Sequence, residues 1–231
     1  RSLPVEKKSS HRPFLIAHMS AAIASLIAGF SVILTSLAMN TMQPSEATFV
    51  RYFFAFVCVV PFCVAYRSKI ISIPRSDFLA ISALGILFYF IFPMTFNKGL
   101  QLTTASLGAL IMSLMPTLAL LFGAFFKVEK LNIYKALGCS IAIAGVAIGV
   151  SSGLPTTVTS NGMITGNFFM FLAIVQGALF SVFSRRYFQK YGAWLVSVIS
   201  IAIGFLVPSL FVGLSGINSI MSLSGLEFLY L

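Results

Sequence analysis

One arginine stands inside an apolar run: across residues 47–66, "ATFVRYFFAFVCVVPFCVAY", Arg51 is the sole charge. Its guanidinium is a planar, permanently charged fork that can grip a carboxylate or a phosphate through paired hydrogen bonds. An ionisable group in apolar surroundings is costly and by default faces a cavity or a partner. A second reading stands beside this one: Arg51 lies a turn or two from the start of the run, so it could stretch to the polar surface or pair with Glu46. Tyr89, Asn97, Ser113, Thr117 and Gln176 are further polar groups in apolar stretches. They could line a polar path, and each could equally be satisfied by a hydrogen bond to a neighbouring helix. All of these groups bind and orient; none is arranged to cleave. Hydrolysis would need paired acids or a serine–histidine arrangement, and desaturation would need histidine clusters. Asp77 is the one aspartate, and the histidines are His11 and His18 near the start. No enzymatic activity, cofactor or metal is expected.

The elements that must position these residues are membrane helices. Hydrophobic residues make up 58% of the chain and charged ones 9%, against about 25% charged in soluble domains, and the mean hydropathy is +1.00. Uncharged runs long enough to cross a hydrocarbon core of roughly 30 Å recur along the sequence. They cover residues 14–39, 47–66, 78–96, 103–126, 133–150, 164–184 and 194–212, and an eighth begins at 226. The connections "NTMQPSE", "NKGLQ", "SSGLPTTVTSNG" and "LSGINS" are short and turn-rich, leaving no room for a soluble domain. The first run is too long for a signal peptide and has no evident cleavage site. Cys58, Cys63 and Cys139 all fall within predicted spans, so no disulfide framework is expected.

Charge sets the expected orientation, because short cytoplasmic loops are enriched in Lys and Arg. Arg1, Lys7, Lys8 and Arg12 precede the first span; Arg67, Lys69 and Arg75 separate the second and third. Lys127, Lys130 and Lys135 follow the fourth, and Arg185, Arg186 and Lys190 follow the sixth. Thirteen of the 15 basic residues thus share one side, leaving Arg51 and Lys98, and the N-terminus is expected in the cytoplasm. The net charge of +10 is accounted for by this topology and by anionic lipid headgroups, so no nucleic-acid partner is inferred. A seven-helix receptor conflicts with that orientation, and a retinal protein would need a lysine in its last helix.

The segments also hint at internal symmetry. "DFLAI" at Asp77 and "EFLYL" at Glu227 stand 150 positions apart, and the prolines of "VVPF" and "LVPS", Pro61 and Pro208, stand 147 apart. A repeat of five spans must insert its second copy upside down, an architecture of transporters that bind substrate between the halves near the midplane. The expected organisation is a cytoplasmic tail over 1–13, a first repeat over 14–151 and a partial second repeat over 163–231. The chain starts without Met and stops within the eighth span, so it is expected to be a fragment whose second repeat is short of about three helices.

Two stretches carry a family resemblance. In "QPSEATFVRYFFAF" a proline after the first span is followed by an arginine early in the second. In "LTTASLGALIMSLMPTLALLFGAFFKVEKLNIYKALGCSIAIAGVAIG" a small-residue helix leads to Pro116, an aromatic exit, Glu129, and a fifth span with spaced glycines Gly138 and Gly145. The sequence resembles the drug/metabolite transporter superfamily, specifically its EamA-like members. Their aromatic-glycine pair in the first span appears here as Ala28-Gly29. The resemblance implies an all-α polytopic fold of ten helices in two inverted five-helix repeats. It also implies alternating access moving small metabolites, often amino acids outward, across the plasma membrane, in bacteria the inner one. A channel or a structural membrane protein is the alternative, and a homodimer is left open.

Pro61, Pro93, Pro116 and Pro208 each remove a mid-span backbone donor, and are candidates for hinges or for static kinks. Gly138, Gly145 and Gly149 share one face of the fifth span, as do Ala17, Ala21, Ser25 and Gly29 of the first; both stripes are expected to pack against other helices. The phenylalanines of "RYFFAF" and "FYFIFPMTF" could stack on an aromatic or amphipathic solute, with most of the chain's phenylalanines facing lipid. Glu129 reads as a solvated loop charge favouring the start of the fifth span, and Asp77 and Glu227 as first-turn acids.

Overall fold

A computed structural model describes residues 43–152 and 160–222, with positions scattered between 19 and 37. At 46, 150, 152, 160, 161, 207, 208 and 210–222 the description is of backbone alone. The tail over 1–13, Ala17, Ala21, Ser25, Glu227 and the eighth span lie outside the described residues.

Every regular element among the described residues is helical, as lipid demands of a chain that must satisfy its backbone internally. In order they are α1 (Pro44–Ala65), the short α2 (Arg67–Ile71), α3 (Arg75–Ile86), a π-helical turn (Leu87–Ile91), α4 (Phe92–Leu102), α5 (Ala105–Met112), α6 (Met115–Phe125), α7 (Ile133–Ser152), α8 (Ser160–Tyr191) and α9 (Ala193–Ser222). Side-chain oxygens cap two of them: Thr104 Oγ1 accepts from the Leu107 N–H that opens α5, and Asn132 Oδ1 from the Lys135 N–H at the start of α7. Gly192, at φ +85°, supplies the left-handed turn between α8 and α9.

Four stretches are long and apolar enough to cross a membrane: Ala47–Ala65, Arg75–Leu102, Ala105–Phe125 and Gly162–Tyr191. They correspond to the second, third, fourth and sixth expected spans. The fifth and seventh appear as shorter apolar helices, Ile133–Gly149 and Ala193–Leu206, within the described residues. The fold is an all-α polytopic membrane bundle.

The long helix α8 packs along α4 and α6, and α9 along α1 and α3. Met170, Ala173 and Ile174 of α8 are fully buried against Phe96, Leu100 and Ile111. A second cluster joins Ile81 of α3 to Val196 and Ile199 of α9. The α3–α9 crossing depends on missing side chains. A methyl group at Gly85 would come within 2.6 Å of the Ser200 carbonyl oxygen, and one at Gly204 within 2.7 Å of the Gly85 oxygen. Of the expected small-residue stripes, Gly149 meets Leu110, but Gly29, Gly138 and Gly145 face open space with nothing within 4 Å. Packing at those three is therefore not made among the described residues.

The prolines divide into two kinds. Pro93 lies directly after the π-helical turn, and Pro116 after the break at Ser113 and Leu114 that separates α5 from α6. Each follows a place where the α-helical ladder is interrupted, which relieves the clash of a proline ring with the carbonyl four residues earlier. Pro61 and Pro208 instead lie within the continuous helices α1 and α9.

Candidate functional site

Thr48, Arg51 and Tyr52 recur at the spacing of one helix face on α1. Arg51 reaches sideways from it toward the first span. Its Nη1 donates to Thr35 Oγ1 at 3.3 Å and its Nη2 to Ser31 Oγ. Thr35 in turn donates to the Ser31 carbonyl at 2.7 Å, so two hydroxyls one turn apart form the seat of the guanidinium. Lateral hydrogen bonding, rather than extension along the helix toward the surface, is what Arg51 does here.

The seat opens into a cleft of about 460 Å³. Its polar members are Ser31, Thr35, Arg51 and Asn97, and its walls include Tyr52, Phe92 and Phe96. Asn97 of α4 is buried and held by its amide nitrogen, which donates to Thr48 Oγ1 at 2.9 Å. Thr48 donates onward to the Pro44 carbonyl at 2.6 Å. Phe92 and Pro93, the two residues that follow the π-helical turn, border the same cleft, placing the irregular backbone beside it. Broken or bulged helices next to a binding position are a recurrent membrane-protein arrangement.

Aromatic rings continue away from it. Phe96, Phe92 and Phe88 stack in succession at 6.0 and 5.1 Å between centroids, and Phe88 lies on Phe180 of α8 at 4.2 Å. Tyr89 meets Tyr52 edge-on at 5.9 Å, and both line a smaller neighbouring cavity with Phe205. The "FYFIFPMTF" rings thus form an internal ladder.

Of the sequence candidates, the structure brings Arg51 and Asn97 into one cleft and sets Tyr89 beside it. Gln176 is elsewhere: buried on α8, its Oε1 accepts from Thr95 Oγ1 at 2.9 Å and ties α8 to α4. Ser113 is exposed and donates to the Leu110 carbonyl at 2.6 Å, and Thr117 lies a turn further along α6, half-buried. Ser31, Thr35 and Tyr52 are cleft residues that sequence reasoning missed, as is Thr48, which holds Asn97 from behind. Their signal was present in the hydroxyl pair at a four-residue spacing and in positions 48 and 52 flanking Arg51 at helical spacing.

At the opposite end of the bundle, charges are paired. Lys190 Nζ and the Tyr191 hydroxyl both reach Asp77, at 2.6 and 2.5 Å, joining the end of α8 to the start of α3. Glu129, in the turn after α6, pairs with Lys135 at 2.6 Å and with Arg185 of α8 at 3.5 Å. The hydrogen bond from Lys135 holds the Glu129 carboxyl below the usual range, helped by the charges of Lys135 and Arg185. Glu129 is therefore more than a solvated loop charge.

The described residues thus form a helical membrane bundle with a polar cleft beside an interrupted helix. Residues 15–151 match the EamA-like transporter family. The chain belongs to that family. It is 25% identical over 226 residues to an uncharacterized transporter of Methanothermobacter thermautotrophicus, covering 93% of this chain and 66% of the relative. It is 24% identical over 193 residues to the uncharacterized transporter YcxC of Bacillus subtilis, with 83% and 60% covered. It is 26% identical over 191 residues to the uncharacterized transporter YyaM of the same organism, with 81% and 62% covered. The chain thus spans about two thirds or less of the length of these relatives. No solved structure matches it.

Proposed function

We propose that this membrane transporter is a secondary transporter that exports small amphipathic metabolites by alternating access, with the Arg51 cleft on the solute path. The observation that carries the reading is the cleft itself: a guanidinium, two hydroxyls and a carboxamide gathered among aromatic walls next to a π-helical turn. A polar pocket placed within an apolar bundle gives a solute somewhere to dwell. The interrupted helices give the bundle places to bend, which makes Pro93 and Pro116 the better hinge candidates and leaves Pro61 and Pro208 as kinks in continuous helices. The clustering of basic residues supports an N-terminus in the cytoplasm, and the same reading puts the protein in the plasma membrane. An inverted second repeat, completed by further helices, would supply the other half of the path.

The test is counterflow in proteoliposomes loaded with a mixed panel of amphipathic metabolites. Trans-stimulated, saturable uptake of a labelled panel member is the expected result. Conductance that rises linearly with concentration and shows no trans-stimulation would replace the transporter mechanism with a channel.

A further inference from the structure

Among the described residues the cleft has a charge but no countercharge. Both recorded partners of Arg51 are neutral hydroxyls, Ser31 and Thr35. Among the described residues none of the three ion pairs includes it and no carboxylate lines the cleft. Glu46, the nearest acid in sequence, stands five positions earlier on α1, and its side chain lies outside the described residues. Asp77 and Glu129 are at the far end, engaged with Lys190 and Lys135. A permanent cation set in an apolar bundle without an acid is a site whose missing partner is an anion.

The walls narrow the class further. Tyr52, Phe92, Phe96 and Met112 present rings and a thioether, so the body of the ligand is apolar. A volume of about 460 Å³ lies within the ordinary span of small-molecule sites, about 300–1,000 Å³. An ammonium group bound here would find hydroxyls and Arg51, and no carboxylate among the described residues. We infer that the Arg51 cleft selects organic anions, an acid group on an aryl or alkyl body, over zwitterionic amino acids of the same shape. This inference rests on the cleft being the solute site. It departs from the amino acids that the family resemblance suggests.

Carboxylate and phosphate share the chemistry of the guanidinium fork, so the probes separate them. Binding of labelled 3-phenylpropanoate to the detergent-purified protein is measured, with competition by phenylalanine, 3-phenylpropanamide and phenyl phosphate. The expected result is displacement by unlabelled 3-phenylpropanoate at concentrations at least about tenfold below those needed for phenylalanine or the amide. Phenyl phosphate competing better than the carboxylate would assign the site to phosphate esters, still within the anion class. Arg51→Gln should weaken 3-phenylpropanoate binding by about 10- to 100-fold and abolish the preference over the amide. Arg51→Lys, which keeps the charge and loses the fork, should retain a reduced preference and reports on the site if the glutamine variant does not fold. Phenylalanine or the amide binding as tightly as the carboxylate would overturn the inference, as would an unchanged preference in Arg51→Gln. Anion-selective binding without trans-stimulated flux would instead leave this inference standing and remove the transport mechanism.

Discussion

Two arginines each border a cavity, and the bundle treats them differently. Arg185, at the α3–α8 end, lines a space of about 400 Å³ together with Glu129, which lies 3.5 Å away. Arg51, toward the other end, lines a space of about 460 Å³ with hydroxyls and rings and, among the described residues, no acid. The first charge is answered within the chain, and its cavity is bordered by an ion pair that ties α8 to the turn after α6. The second is held in place by groups that cannot neutralise it. Satisfied charges locate the joints of the bundle, whereas the charge oriented but not neutralised among the described residues is where the proposed account seats the solute.

Three substitutions sharpen that contrast, the largest effect first. Gly85→Ala drives a methyl group into the Ser200 backbone at the α3–α9 crossing and should cost about 1–3 kcal/mol of stability. Gly138→Ala, where nothing lies within 4 Å, should change stability by less than about 0.5 kcal/mol. Thermal unfolding in detergent of the two variants side by side checks both values, and equal losses would mean that α7 is packed more closely than described. Thr95→Val removes the hydroxyl that reaches Gln176 and should cost about 0.6 kcal/mol, the average for hydrogen bonds between membrane helices. Flux should be nearly unaffected, since the pair lies outside the cleft.

The smallest effect concerns pH. The carboxyl of Glu129 is held below the usual range by Lys135, so its contribution is present above the unfolded carboxylate value and is lost as pH falls through the lower folded one. Unfolding followed from pH 7 to pH 3 should show an acid-side loss that Glu129→Gln reduces. An identical acid limb in the variant would remove Glu129 from the joint.

Much of this arrangement was legible in the residues. Apolar runs at membrane-crossing length marked the second, third, fourth and sixth spans because composition alone decides whether a segment tolerates lipid. Arg51 stood out because a charge in such a run has few places to go. Its partners did not, because Ser31 and Thr35 belong to a different span and only the fold brings that span against α1. The π-helical turn was invisible for a similar reason. Pro93 announces a missing donor, but whether the helix kinks, breaks or bulges depends on its packing against α8 and α9. Gln176 and Asn97 looked alike in sequence, as amides in apolar runs. Their surroundings separate them into a tie between helices and a cleft wall.

The most direct test sets the two arginines against each other. Arg51→Gln and Arg185→Gln are reconstituted at equal protein content, and trans-stimulated flux of an amphipathic organic acid is measured across a concentration series. Loss of saturable flux in Arg51→Gln, with the half-saturation concentration preserved in Arg185→Gln, is the expected outcome. Preserved saturation in Arg51→Gln with loss in Arg185→Gln would contradict the assignment and move the solute site to the Glu129 end of the bundle.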